Sequence, residues 1–184
     1  MPWGEKIVLH MQSFDMIAVG QAFGIVLSVV GFFVFLAKTR RGILIAKLTC
    51  DAGYCIQQIM LGATTGAMIN AIAVFRDVVF YHRTEKKWAA HRFWLYFFVL
   101  VMGLSPVLTW MGPVSILPAA GSVIAVFGFY CRQPRHTRIL GLAAMIPWMI
   151  YAAIITNYGL MLTTVIQIIS ALLGLLRDHR TARK

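Results

Sequence analysis

The sequence predicts an all-α polytopic membrane protein with seven transmembrane helices in a 3+1+3 arrangement, two parallel triple-helix bundles joined by a linker helix. Three observations predict this fold: a strongly apolar composition, seven apolar runs of spanning length, and a repeat of the first half in the second. Of the 184 residues, 60% are hydrophobic and 12% are charged. A soluble domain carries about 25% charged residues.

The apolar runs justify the individual helices, since a spanning helix needs about 20 apolar residues. The runs cover residues 14–37, 42–61, 64–81, 93–110, 113–131, 139–155 and 158–176. The connections at Gly62 and Asn157 are very short, but both halves show the same three runs, which favours separate helices. The predicted organisation is an extracytoplasmic tail (1–15), a first repeat (16–82), a cytoplasmic loop with the linker helix (83–112), a second repeat (113–180) and a cytoplasmic tail (181–184).

The internal repeat aligns residues 20–83 with residues 117–180 without a gap, at an offset of 97 and with 14 identities in 64 positions. Apolar segments match easily by chance, so the support comes from the absence of a gap and from the coincidence of charged ends. Repeat transporters bind their substrates near midplane at the interface between repeats. The repeat therefore indicates a path between two like halves.

The basic residues predict the orientation. With seven spans, 14 of the 17 lysines and arginines fall on one face of the membrane, and the loops around Gly62, Gly112 and Asn157 have none. The positive-inside rule makes the basic face cytoplasmic. The N-terminus is then outside and the C-terminus inside, in a cell inner membrane. Because the charge follows the loops, the net charge of +11 does not indicate nucleic acid.

Two amides occupy equivalent positions in the repeat. Asn70 in the third run and Gln167 in the seventh each lie within a stripe of small residues. An amide in the bilayer is costly unless it is hydrogen-bonded. Two interpretations stay open: an interhelical clamp, or contact with a substrate at the axis between the halves.

The second and third runs also carry four charges, two of each sign, at Lys47, Asp51, Arg76 and Asp77. A charge at a helix centre costs about 2.5–3.5 kcal/mol on insertion scales, so these residues are expected to pair. Asp51 is predicted to pair with Lys47 on its own helix or with Arg76 across helices. The cluster is interpreted either as a static ion pair or as a cytoplasmic-side gate or protonatable site.

Aromatic residues complete the candidate site. Trp148 stands where the first half has Asp51, and Tyr151 stands where it has Tyr54. An indole beside a phenol offers a flat face to a ring-shaped solute; ordinary packing is the alternative.

Small residues in the first and fifth runs are expected to pack each bundle tightly within itself. They are Gly20, Gly24, Ser28 and Gly31, then Gly121, Ala125 and Gly128.

The stretch LGATTGAMINAIAVFRDVVFYHR resembles the bacterial YgjV-type inner-membrane proteins. The wider architecture resembles the MtN3/SWEET and PQ-loop superfamily. That resemblance implies parallel triple-helix bundles, each with its third helix between the first and second, and facilitated passage of small solutes. It also implies that Asn70 and Trp148 belong to a pocket. Gln167 is one methylene longer than the family's amide, Asp51 departs from the family pattern, and residues 14–82 lack the family's proline hinges.

The function predicted from these features is a SWEET-like carrier for a small polar solute, such as a sugar, a nucleoside or a vitamin-like compound, working by alternating access. The predicted substrate-binding residues are Asp51, Tyr54, Asn70, Trp148, Tyr151 and Gln167, and the predicted gate or ion pair is Lys47, Arg76 and Asp77. A non-transporting scaffold with the same fold is the alternative. No catalytic set, metal site or cofactor site is predicted within the runs, so an enzyme is not expected. The lipid bilayer is the predicted partner, and a homo-oligomer stays open.

Overall fold

The computed structural model describes residues 3–110 and 112–182, with side chains described for residues 15–110 and 112–179. Over these residues all regular secondary structure is helical, and each predicted apolar run folds as a helix. The helix that holds the first run begins at Trp3, within the predicted tail, and Arg183 and Lys184 of the other predicted tail lie outside the described residues. The α-helices are α1 (Trp3–Leu36), α2 (Arg40–Met60), α3 (Thr64–His82), α4 (Lys87–Ala90), α5 (Phe93–Leu108), α6 (Ile116–Tyr130), α7 (Pro134–Ile154) and α8 (Tyr158–Ala182), with a 3-10 turn at Pro113–Ser115.

Local chemistry explains where several helices begin and end. The Thr39 side chain accepts a hydrogen bond from the Gly42 N–H at 3.1 Å, which caps the start of α2. Gly62 adopts a φ of +69° between α2 and α3, a conformation that glycine reaches without strain. Pro134 opens α7, where its missing N–H costs no helical hydrogen bond. The predicted short connections at Gly62 and Asn157 are confirmed as breaks between helices.

Among the described residues, four helical segments are long and apolar enough to cross a membrane. They are Asp15–Leu36, Pro113–Tyr130, Pro134–Ile154 and Tyr158–His179. The apolar helix α5 is shorter, and α2 and α3 carry the charges and amides that lower their hydropathy. The structure therefore supports four of the seven predicted spans by length and composition, and crossing by α2, α3 and α5 stays a prediction.

Six of the long helices form a closed ring. Around the ring, α1 packs on α2, α2 on α3, α3 on α6, α6 on α7, α7 on α8, and α8 returns to α1. The remaining long helix, α5, lies outside the ring against α3 and α6. The repeat is visible in this order, since each half contributes three consecutive members and the pattern of contacts is the same in both.

The predicted position of the third helix in each half is wrong. In both halves the second helix lies between the first and the third. Glycines explain the close pairing of first and second helices: a Cβ on Gly53 of α2 would lie 2.4 Å from the Leu27 side chain of α1. In the second half, a Cβ on Gly121 of α6 would lie 2.6 Å from the Trp148 ring of α7.

The small-residue stripe of α1 is also placed differently from the prediction. Gly20 contacts Leu61 in its own half, but Gly24 packs against Gly159 of α8 in the other half, where a Cβ added to Gly159 would lie 2.7 Å from the Gly24 Cα. A Cβ on Gly31 would likewise meet Thr163 of α8 at 2.5 Å. The stripe therefore packs the two halves together, because small residues let helix backbones approach closely in lipid.

Candidate functional site

A cavity of about 70 Å³ lies inside the ring. All six ring helices line it, and a volume of this size has room for several water molecules. Seven of the nine predicted site residues are in the lining: Lys47, Asp51, Tyr54, Asn70, Arg76, Trp148 and Gln167.

The cavity lies at the axis that relates the two repeats. Three repeat pairs contribute both of their members to the lining: Lys47 with Ala144, Asp51 with Trp148, and Asn70 with Gln167. Equivalent positions of two like halves meet in this way only around the axis that relates the halves. In the two pairs that contain a charge, the charged member belongs to the first half, so the ionic side of the cavity lies there, opposite Ala144 and Trp148 of the second half.

The ionic side is a buried network of four charges. Asp51 pairs with Lys47 on its own helix and with Arg76 across helices, where the Arg76 Nη2 to Asp51 Oδ2 distance is 3.1 Å. Arg76 also pairs with Asp77, at 2.7 Å between Nη2 and Oδ1. Its guanidinium lies 4.7 Å from the centre of the Phe129 ring of α6. The network has no net charge and ties α2, α3 and α6 together, as buried charges require.

Hydrogen-bond donors remain free on the cavity wall. The Asn70 side chain is 5% exposed, and its Nδ2 has no hydrogen-bond partner among the described residues. The Trp148 indole, which can only donate, also lacks a partner in that part of the chain. A buried donor without an acceptor is costly, and a bound molecule that brings an acceptor removes that cost.

The two predicted tyrosines occupy repeat-equivalent positions but make different contacts. The hydroxyl of Tyr54 is hydrogen-bonded to Thr163 of the other half, and both residues line the cavity. The Tyr151 hydroxyl lies beside Gly66, the repeat partner of Thr163, and a glycine has no side chain to bond it. The Tyr151 hydroxyl makes no side-chain hydrogen bond within the described residues. Tyr151 lies outside the cavity lining and packs edge-on against Trp148, with 5.8 Å between the ring centroids.

Asp77 also stands outside the lining. Its side chain is fully buried against Arg76, so it reaches the cavity only through that guanidinium. Lys47 and Arg76 of the predicted gate do line the cavity.

One end of the ring is closed by an amide pair that sequence reasoning missed. Gln57 Nε2 donates to Asn157 Oδ1 at 3.0 Å, and Asn157 Nδ2 donates to Gln57 Oε1 at 3.2 Å. Both side chains are fully buried. We call this end of the ring the amide end. The amide pair joins α2 of the first half to the turn before α8 of the second half. The available signal is weak: the sequence marks Asn157 only as a turn residue, and Gln57 has no polar repeat partner.

The opposite end, which we call the basic end, is closed by arginines that bind the last carbonyls of α1. Arg138 of α7 is fully buried, and it donates to the Phe35 and Ala37 carbonyls at 2.9 Å each. It also pairs with Asp178. Arg177 of α8 donates to the Leu36 carbonyl at 2.9 Å. We call Arg138 and Arg177 the α1 clamp; the second half thereby binds the end of the first helix of the first half.

A reciprocal set, the α6 clamp, consists of Arg40 and Arg83 from the first half. Arg40 of α2 donates to the Cys131 carbonyl at 2.9 Å and to the Phe129 carbonyl at 3.1 Å. Arg83 donates to the Tyr130 carbonyl. Cationic side chains at a helix C-terminus satisfy its orphan carbonyls and its dipole. Four of the arginines that predicted orientation therefore also close the basic end of the ring.

Residues 18–182 match the family Imp-YgjV, which is described as a bacterial inner membrane protein. The chain belongs to this family. No curated protein and no solved structure matches the chain. The predicted resemblance to YgjV-type proteins is thus confirmed over most of the sequence, and the protein is a multi-pass protein of the bacterial inner membrane.

Membrane location explains the outer surface of the ring. Large apolar side chains that would be unfavourable in water are exposed on α1, α7 and α8, among them Val26 at 65% and Ile146 at 64%. Acyl chains cover such residues in the bilayer, while Asp51, Arg76 and Asp77 of α2 and α3 are buried inside the protein. The family description gives a location and no activity, so the function has to be argued from the cavity.

Proposed function

We propose that this Imp-YgjV protein is a SWEET-like carrier that moves a small polar solute across the inner membrane by alternating access between its two halves. The observation that carries the proposal is the central cavity, to which both halves contribute equivalent residues and in which Asn70 offers an unpartnered donor. Paired halves around a polar midplane site are the arrangement that repeat transporters use. One chain supplies all six helices around this cavity.

The proposal includes seven spans in the 3+1+3 order. Helices α2 and α3 have 21 and 19 residues; at about 1.5 Å per residue they match a hydrocarbon core of about 30 Å. The four charges of the ionic network are paired inside the ring. On the outside of the two helices, Ile45, Ile59 and Phe75 are exposed. These features support crossing despite the lower hydropathy of the two helices.

The orientation that we propose places the basic end in the cytoplasm. This follows from the positive-inside rule and puts the amide end and the N-terminus on the outer side. The arginine clamps then form the cytoplasmic barrier, and the Gln57–Asn157 pair forms the outer one.

Alternating access requires each barrier to open while the other stays closed. The cavity of about 70 Å³ is smaller than the roughly 300–1,000 Å³ of typical small-molecule sites, so helices must separate to admit a solute. Opening at the basic end breaks arginine–carbonyl bonds between halves. Opening at the amide end breaks the Gln57–Asn157 pair and parts Gly24 from Gly159. Glycines, rather than prolines, are the close contacts that move in the first half.

The solute class follows from the cavity wall. Asn70, Gln167 and Trp148 offer donors, Thr163 and Thr164 offer hydroxyl lone pairs, and the ionic network is already neutral. A neutral solute with several hydroxyl or carbonyl groups fits this wall better than a fully ionised one.

A thermal-shift screen tests the proposal, using purified protein against sugars, nucleosides, vitamins and amino acids, followed by liposome exchange of any stabilising solute. Asn70→Leu keeps a similar volume and removes the donor. We expect it to abolish the shift and the exchange with little loss of fold stability, because the lost Nδ2 donor has no hydrogen-bond partner among the described residues. Ser170→Ala is the matched control, since its buried hydroxyl is also unpartnered among the described residues but lies outside the cavity.

A solute shift that survives Asn70→Leu would place binding elsewhere and refute this site. If no solute in the screen stabilises the protein or exchanges in liposomes, the scaffold interpretation replaces the carrier.

A further inference from the structure

A second pocket, separate from the central cavity, opens at the basic end beside α5. It has a volume of about 530 Å³ and is lined by Arg83, Arg92, Leu95, Tyr96, Tyr130 and Arg132 among others. Three of its lining residues are therefore arginines, and the remainder is largely apolar or aromatic. No acidic side chain is in the lining that the structure describes.

Two of these arginines have no partner of their own. The guanidinium groups of Arg92 and Arg132 make neither a hydrogen bond nor an ion pair with any described residue, and both side chains are exposed. The nearby acidic residue in sequence, Glu85, pairs with Arg41. Arg83 is fixed in place, because it donates to the Tyr130 carbonyl and its guanidinium lies 3.4 Å from the centre of the Tyr130 ring. The pocket therefore combines one immobilised cation with two free ones.

An apolar stripe leads away from this pocket along α5. Its exposed residues recur at helical spacing: Phe93 at 55%, Tyr96 at 67%, Leu100 at 60%, Leu104 at 51% and Val107 at 74%. The stripe begins at the pocket rim, where Tyr96 is a lining residue. A molecule bound there would meet cations at one end and a continuous apolar helix face at the other.

We propose that this pocket is a binding site for the headgroup of an anionic phospholipid, whose acyl chains lie along the α5 stripe. Arginine binds phosphate oxygens through paired N–H donors, and basic pockets at the membrane surface of helical proteins bind such headgroups. The described lining holds three arginines and no carboxylate to form an ion pair with an ammonium group, which favours a headgroup of net negative charge over a zwitterionic one. The site does not depend on the proposed transport function.

The test uses the full-length protein in mild detergent. Thermal stability and lipid retention by native mass spectrometry are measured with phosphatidylglycerol, with cardiolipin, with phosphatidylethanolamine and with inorganic phosphate. We expect saturable stabilisation by the two anionic lipids and none by the other two. At about 1 kcal/mol for each arginine near a membrane surface, replacing both Arg92 and Arg132 by glutamine should weaken the apparent lipid affinity roughly 30-fold.

The matched control removes the same charge from the same end of the protein. Lys38→Gln combined with Arg135→Gln changes two exposed residues outside the pocket, and the affinity should change less than about threefold. Equal losses in the two double variants would refute a site and leave only general charge attraction. Stabilisation by inorganic phosphate or by phosphatidylethanolamine would refute the anionic-lipid assignment, as would no stabilisation at all. If the double variant unfolds, Arg92→Gln alone decides the same question, because this exposed arginine has no partner among the described residues to lose.

Discussion

Replacing Arg138 by methionine, which has no hydrogen-bond donor, removes the most deeply buried contact between the two halves at the basic end. The guanidinium donates to the Phe35 and Ala37 carbonyls, each at 2.9 Å. A buried carbonyl left without a donor costs about 1–3 kcal/mol, so losing both predicts a destabilisation of roughly 4 kcal/mol. Losing the Asp178 pair adds little, because that carboxylate is 28% exposed and solvent screens it.

Thermal unfolding in detergent measures this loss through the thiol of Cys50, which is fully buried and becomes reactive when the protein unfolds. For a chain of this length, about 4 kcal/mol corresponds to a fall in Tm of roughly 8–16 °C. Arg135→Met is the control, since replacing this exposed arginine removes the same charge without losing a contact in the described structure. Arg138→Lys should fall between the two, because an ammonium cannot reach both carbonyls as a guanidinium fork does.

The reasoning fails if Arg138→Met unfolds within about 2 °C of Arg135→Met, a difference of roughly 1 kcal/mol or less. That result would mean that water or another side chain satisfies the α1 carbonyls, and the α1 clamp would no longer serve as a barrier.

Two further predictions concern the seam between the halves and the orientation. Gly159→Ala should lower the stability by about 1–3 kcal/mol, because the added Cβ would lie 2.7 Å from the Gly24 backbone. Gly103→Ala is the control and should be neutral or stabilising, because the nearest atom to its added Cβ is 3.9 Å away. Equal Tm values for the two variants would contradict a close seam between the halves. A reporter fused after Lys184 should be active only if it functions in the cytoplasm, and periplasmic activity at that position would overturn the orientation.

The family and the helices could be predicted from the sequence because their signals are local. Spanning length and apolar composition are properties of a single segment, so each run can be recognised without knowing its neighbours. The repeat adds the equivalence of Asn70 with Gln167 and of Asp51 with Trp148. Buried polar residues in a membrane helix have to face protein, which makes these positions candidates for a site and explains why all four line the cavity.

The order of the helices required the tertiary structure. Hydropathy shows that a helix face is covered but not which helix covers it, so the superfamily resemblance suggested the wrong neighbour for the third helix of each half. The same limit explains the α1 stripe: Gly24 indicates a close approach, but only the folded ring shows that the approaching helix is α8 of the other half.

The closures at both ends were likewise decided only in three dimensions. Arg138 has Arg41 as its repeat partner, yet Arg40 makes the equivalent contacts while Arg41 pairs with Glu85 at the surface. Gln57 and Asn157 are 100 positions apart in the sequence, and only the folded structure shows that their side-chain amides are hydrogen-bonded to each other. A sequence by itself determines which segments are apolar and which charges must be compensated. Packing between distant segments decides which partner compensates each charge. The same packing brings Arg92 and Arg132 together in the pocket beside α5.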